Sequence, residues 1–257
     1  MLPAFGPLPG TTAWFTYHRT IEAFSRSYSC VLVDYPNFGR TSPLVFHEPV
    51  HDVYVRLALA VLDDLGVERM RVLGVSTGGT VALDLALTAP ERVTALVVGA
   101  CEASTGGDPY LLSSFPSEGV RLFDEHLVEP PDRARIERLV TGFVYDPASI
   151  DPAVVDQLYE WRLRDSRAVD SWKRSRSVPH SNIGSLRQIA VDTLIVHGSH
   201  DRMVPVEQAL RLRSLLPAAD LVVLGDCGHW LTIDRPDAYT RVVLSFLDQS
   251  SAPVRTK

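Results

Sequence analysis

The chain has 257 residues, 46% of them hydrophobic, and a formal net charge of −6 with both signs interspersed, so it can bury a sizeable core as one domain or as a core with a lid. It carries no basic stripe to neutralise phosphates and no polybasic segment to hold an anionic bilayer, which removes nucleic acid and membrane surfaces from the expected partners and leaves a small molecule. The cysteines Cys30, Cys101 and Cys227 show no CxxC spacing, the N-terminus has no leader pattern, and no stretch approaches the roughly 18 apolar residues of a span, so a reducing cytoplasm is the expected setting.

In chain order, the first apolar run is Cys30 to Asp34, read as a buried strand. A helix follows over His51 to Leu65, with Val53, Leu57, Val61 and Leu65 at helical spacing and Gly66 as its stop. Arg71 to Val75 is the next strand. Val81, Ala82, Leu85 and Ala86 then continue a helix up to Pro90, which places Ser76 at a strand-to-helix junction. Ala95 to Gly99 is a third strand. From about Glu102 to Arg187 the strand pattern stops, and proline-broken helices take over, with Asp151 as a helix cap ahead of Pro152. Strands resume at Thr193 to His197 and Leu221 to Leu224, separated by a helix over Val206 to Leu216, and a helix over Ala238 to Leu247 closes the pattern. All five strands are expected to be buried on both faces. The alternation predicts an α/β fold with a mostly parallel sheet flanked by helices. Residues 1–105 and 187–250 form its core, 106–186 a helical lid inserted before the acid-bearing strand, and 251–257 a tail.

The chemistry sits at strand ends. Gly74-Val75-Ser76-Thr77-Gly78-Gly79 is a G-x-S-x-G motif between a buried strand and a helix. A turn that lifts a serine off a strand end forces it into strained backbone, and side chains two positions away would collide, so glycines stand there. Ser76 is the expected nucleophile, with the Thr77 N–H aimed at a developing oxyanion. Asp201 follows the fourth strand and His229 the fifth, so the order Ser, Asp, His at separate strand ends brings all three to one sheet edge. His229 is the expected base and Asp201 the acid that orients it, with Glu102 as the fallback acid. His197 and His200 read as bystanders, and the other histidines show no ligand spacing, so neither metal nor cofactor is expected.

The chain resembles the α/β-hydrolase superfamily over nearly its whole length. Within it, the chain resembles the meta-cleavage-product hydrolases, which split carbon-carbon bonds of ring-opened aromatics. The second likeness rests on Gly10-Thr11-Thr12-Ala13-Trp14, Tyr35-Pro36-Asn37-Phe38-Gly39-Arg40-Thr41-Ser42, Phe143-Val144-Tyr145-Asp146-Pro147 and Cys227-Gly228-His229-Trp230. It implies attack at an ester, thioester or carbon-carbon bond beside a carbonyl, with Trp230, Trp161, and an arginine such as Arg162, Arg164 or Arg167 contacting substrate.

Two departures stand out. The histidine-glycine pair that opens the family's oxyanion loop is absent, and the chain reads Leu2-Pro3-Ala4-Phe5-Gly6-Pro7-Leu8-Pro9-Gly10 there. An ungapped alignment puts Pro7, which has no N–H, near the oxyanion position; a two-residue insertion makes Phe5 the donor, which is the expectation adopted. Phe15-Thr16 stand where members often carry an asparagine. The chain also begins almost inside the oxyanion loop, with early strands apparently missing. Either Met1 lies within a longer reading frame, which is the expectation, or the sheet exposes an edge that must be covered. Two other readings stay open: a lyase or cyclase using the same triad, favoured by the altered loop, and an inactive binding homologue. A homodimer is an open expectation for the assembly.

Overall fold

The computed structural model describes residues 1–4, 11–102, 117–127, 129–176, 178 and 180–250. Short helices α1 (Ala13–Tyr17) and α2 (Ile21–Ser25) come first, then α3 (Val50–Asp64), β1 (Met70–Val75), α4 (Thr77–Thr88) and β2 (Val93–Gly99). Helices α5 (Glu118–His126), α6 (Arg133–Gly142), α7 (Pro152–Arg164) and α8 (Arg167–Arg174) lie between β2 and β3 (Thr193–Gly198). The chain closes with α9 (Val206–Leu215), β4 (Ala219–Leu224), α10 (Leu231–Asp234) and α11 (Pro236–Gln249).

The four strands pair in parallel in the order β1-β2-β3-β4. Because side chains alternate across a strand, the apolar runs of β1 to β3 feed two cores at once. Val72, Leu96, Val98 and Ile195 pack toward α3, α4 and α9, through Val53, Val81, Leu85 and Leu212. Leu73, Val75, Val97 and Val196 pack on the other face with Tyr17, Leu139, Tyr239 and Val243. The α/β sandwich expected from the alternation is therefore present, and its strands all deliver their C-terminal ends to one edge.

Two strand expectations need correction. The stretch Cys30 to Asp34 is extended but forms no strand; among the described residues its backbone bonds run only to Met1, through Met1 N–H to Val31 O at 2.7 Å and Val33 N–H to Met1 O at 3.3 Å. Met1 to Ala4 are themselves joined to β1 by a single parallel bridge, Leu2 to Gly74, too short a neighbour to template a ladder. The second concerns β4, which among the described residues pairs on one side only, and Val223 is 44% exposed, so this strand is an edge there and not doubly buried.

Local signals read from the sequence hold elsewhere. Gly66 has φ +66°, the left-handed stop just beyond α3. The Asp151 carboxylate accepts the Ala153 N–H at 2.9 Å, capping α7 ahead of Pro152 at its first position.

Candidate active site

Ser76 lies between β1 and α4 at φ +56°, ψ −125°, a region L residues rarely enter and that costs about 1–3 kcal/mol. Its neighbours make the turn possible: a Cβ on Gly74 would lie 2.1 Å from the Gly78 carbonyl oxygen, and one on Gly78 would lie 2.4 Å from the Leu2 carbonyl oxygen. The Ser76 N–H donates to Gly99 O at 2.8 Å, which ties the turn to the end of β2. Helix α4 starts without a side-chain cap, and the Thr77 N–H has no acceptor among the described residues, so it is free to receive negative charge beside Ser76. Phe5 and Pro7, the alternatives for the second oxyanion position, lie outside the described residues.

The loop after β3 presents Asp201, whose side chain is fully buried. Oδ1 accepts the N–H groups of Met203 at 2.8 Å and Val204 at 2.9 Å, and the His229 Nδ1 lies 2.9 Å from Oδ2 and 3.1 Å from Oδ1. Burial alone would raise the carboxyl's pKa, but His229, its hydrogen bond, His197 and the Val204 N–H together carry it below the ordinary carboxylate value. Asp201 is thus an anion suited to hold His229 with Nδ1 protonated. His229 Nε2 is buried and carries no hydrogen bond, so the bond to Ser76 is not formed in this structure, and Nε2 is left free to accept. The loop is fixed by the Trp230 N–H to Phe143 O at 3.0 Å and by Asp234, whose Oδ2 accepts the N–H groups of Gly228 and Tyr145, both at 2.7 Å.

Two neighbours go beyond the sequence reading. His197 is no bystander: it is buried, donates from Nε2 to Val204 O at 2.9 Å, and approaches Asp201 Oδ2 at 3.4 Å. Its histidine-to-acid spacing of four across the strand end was the available signal. Glu102, just past β2, lines the cavity that holds Ser76. Burial pushes its carboxyl up to about 7, with Asp201 adding to the rise and His229 opposing it. For such an acid the native state binds the proton more tightly than the unfolded state, so an ionic penalty grows as pH rises from about 4.5 to about 7 and is constant above. Glu102→Gln should therefore raise the melting temperature at pH 8 and lose that advantage as the pH falls toward 4.5. A pH-independent difference in melting curves would contradict this.

That cavity, of about 450 Å³, is lined by Ser76, Thr77, Thr80, Trp172, Met203 and Val204 among others. None of the substrate contacts implied by the resemblance lines it. Trp230 is 2% exposed and sandwiched edge-on by Phe15 and Phe143 at 5.2 and 5.3 Å, and Trp161 is half-buried on α7. Arg164 and Arg167 are exposed and paired with Glu160 and Asp165. Arg162 is fully buried, bonded through Nη2 to Glu129, with Nε and Nη1 unpartnered. Among the described residues no group of three or more histidines, cysteines or acids is placed to hold a metal ion, and no helix is long and apolar enough to cross a membrane.

A strained serine between strand and helix, with an aspartate-anchored histidine at the same sheet edge, defines a nucleophile-elbow hydrolase. The family model for the alpha/beta hydrolase fold matches residues 8–236. A 2-hydroxy-6-oxononadienedioate/2-hydroxy-6-oxononatrienedioate hydrolase of Burkholderia vietnamiensis strain G4 is 32% identical over 247 residues, 94% of this chain and 84% of the relative. Its namesake in Cupriavidus pinatubonensis is 33% identical over 251 residues, with the same coverage. Among solved structures, the meta-cleavage product hydrolase CumD of Pseudomonas fluorescens superposes with a TM-score of 0.80 at 25% identity, covering 96% of this chain and 89% of that one. The chain belongs to the alpha/beta hydrolase fold family and is a hydrolase.

Proposed function

We propose that this hydrolase cleaves a carbon-carbon bond next to a ketone in a small ring-opened dienoate, through Ser76, His229 and Asp201. The observation that carries the reading is the buried His229–Asp201 pair, whose free Nε2 shares the sheet edge with the strained Ser76. His229 takes the Ser76 proton, Oγ adds to the ketone carbon, and the oxyanion is held by the Thr77 N–H together with a donor from the oxyanion loop, which we assign to Phe5. The carbon-carbon bond then breaks. In the 2-keto tautomer of the substrate, formed when the 2-hydroxyl proton moves to the carbon beside the ketone, the electron pair leaves as a dienolate conjugated with the 2-keto group; this takes the proton from His229, and water activated by the same histidine releases the acyl group. Asp201 keeps Nδ1 protonated throughout.

The names of the two curated relatives favour this bond over an ester or thioester, and favour hydrolysis over the lyase, cyclase and inactive-homologue readings. Residues 106–186 act in this reading as a lid over the core. Of the three candidate arginines, Arg162 is the one with buried, unpaired guanidinium nitrogens, which supports it as the partner of the dienoate carboxylate once Glu129 yields. Trp161 and Trp230 are not part of the Ser76 cavity wall, and this reading does not use them as substrate contacts. The free cysteines, two of them buried, suit a cytoplasmic setting.

The test compares a 2-hydroxy-6-oxodienoate, followed by loss of its visible absorbance, with 4-nitrophenyl esters and an acyl thioester. The dienoate should be consumed with the highest kcat/KM. Turnover of esters alone would remove the carbon-carbon assignment and leave a serine esterase.

A further inference from the structure

Cleavage of a dienol substrate needs a proton shift before the carbon-carbon bond can break, because the 2-hydroxyl proton must move to the carbon beside the ketone. His229 has to be a neutral base when Ser76 attacks, and its Nδ1 is held by Asp201 at 2.9 Å. A separate group that ends the shift as it began it would leave that base undisturbed.

Glu102 is placed for this. Two hydrogen bonds tie its segment to the start of α4: the Ser76 N–H donates to Gly99 O at 2.8 Å, and one turn on, the Thr80 hydroxyl donates to Glu102 O at 2.8 Å. Between them Gly79 admits Cys101 so closely that a Cβ on the glycine would lie 2.6 Å from the Cys101 Cβ. The chain turns at Ala100, which is fully buried at φ +46°, a left-handed conformation that alanine rarely adopts. The Ala100 N–H donates to Val196 O at 3.2 Å and anchors the turn to β3. This strained turn leaves Glu102 half-buried in the wall of the cavity that holds Ser76, and its carboxyl makes no hydrogen bond among the described residues.

The other titratable groups of that wall are poorly suited to exchanging a proton near neutrality. Burial drives the Tyr54 hydroxyl and the Cys101 thiol far up and holds the His51 ring neutral, down to about 4. The Arg176 guanidinium does not deprotonate. Glu102, raised to about 7 by burial with Asp201 adding and His229 opposing, has both forms available. An anionic dienoate in the same cavity would raise it further and favour the acid form.

We propose that Glu102 is a further catalytic residue, the acid-base group that converts the bound dienol to its 2-keto tautomer before Ser76 attacks. The 2-hydroxyl O–H bond breaks as its proton passes to one carboxyl oxygen. The electron pairs shift along the diene to make the 2-keto group. A C–H bond forms beside the ketone with the proton that the other carboxyl oxygen carried, so Glu102 ends as it began. This rests on the carbon-carbon reading of the Ser76 site.

The test compares wild type with Glu102→Gln on a 2-hydroxy-6-oxodienoate and on a 4-nitrophenyl ester, which has no tautomer to form. The dienoate-to-ester ratio of kcat/KM should fall about hundredfold, within the range of a general acid-base group. In a single turnover, loss of the dienol absorbance should precede release of the acyl product in wild type and become the slow phase in the variant. Thr80→Val removes the hydroxyl that holds Glu102 O and should give the same split in smaller measure, which decides the matter if Glu102→Gln does not fold. Rates that fall in parallel on both substrates would overturn the proposal and make Glu102 a support of His229. A dienol phase that keeps its wild-type rate would overturn it as well. A wild-type protein that turns over the ester but not the dienoate would remove the carbon-carbon reading itself, and this role with it.

Discussion

Ser76→Ala is expected to lower turnover by roughly five to six orders of magnitude, the size of effect seen when a triad nucleophile is removed, with the fold preserved. The first half follows from chemistry: Ser76 is the residue at the strained turn between β1 and α4, beside the Thr77 N–H that has no acceptor among the described residues. The second half follows from the backbone. Alanine keeps a Cβ at the same φ of +56°, so the local strain is neither relieved nor increased, and Gly74 and Gly78 still clear the turn. The Ser76 hydroxyl makes no hydrogen bond among the described residues, so its loss strands no buried partner there. Turnover, fluorophosphonate labelling and the melting curve read the three consequences separately. A variant within tenfold of wild type would end the nucleophile assignment, and a melting temperature lower by many degrees would show that Oγ holds the turn.

The sequence carries this site clearly because each element of it is a constraint on one residue type. Only glycine tolerates a carbonyl 2.1 Å from where a Cβ would be, so Gly74 and Gly78 announce the elbow without any tertiary information. The strands β1 to β3 are equally plain, since a strand buried on both faces has no polar positions to blur the pattern. What the sequence hides are features decided by neighbours. Cys30 to Asp34 has the composition of a strand, but a ladder needs a partner of similar length, and Met1 offers only two bonds. Leu221 to Leu224 reads as buried, yet among the described residues no further strand pairs on its outer side, and Val223 faces solvent. His197 approaches Asp201, and Glu102 joins Ser76 in the cavity wall, placements set by the fold and not by local sequence.

Asp201→Asn is expected to reduce kcat/KM by about ten-thousandfold with a small stability change, by analogy with the same substitution in a serine protease. The hydrogen bonds around the carboxylate explain why an almost isosteric change does this. Oδ1 accepts two backbone N–H groups, from Met203 and Val204, and turning an amide NH2 toward them would strand two buried donors at about 1–3 kcal/mol each. The asparagine oxygen therefore stays there, and the NH2 faces His229 Nδ1, 2.9 Å away from the atom it replaces. A donor facing Nδ1 forces that nitrogen to accept, which moves the proton to Nε2, the nitrogen that must take the proton from Ser76. The base is lost while the site keeps its shape. Steady-state kinetics alongside thermal melting check both halves, and the melting temperature should move by a few degrees at most. A nearly silent Asp201→Asn would mean that another acid orients His229, and Glu102, a buried acid lining the Ser76 cavity whose carboxyl is pushed up by burial and pulled down by the charge of His229, is the one to test. The Asp201→Asn/Glu102→Gln double variant, read on a 4-nitrophenyl ester, separates the cases. If Asp201 alone orients the ring, adding Glu102→Gln leaves the large loss nearly unchanged, whereas a silent single variant followed by an inactive double would transfer the role to Glu102.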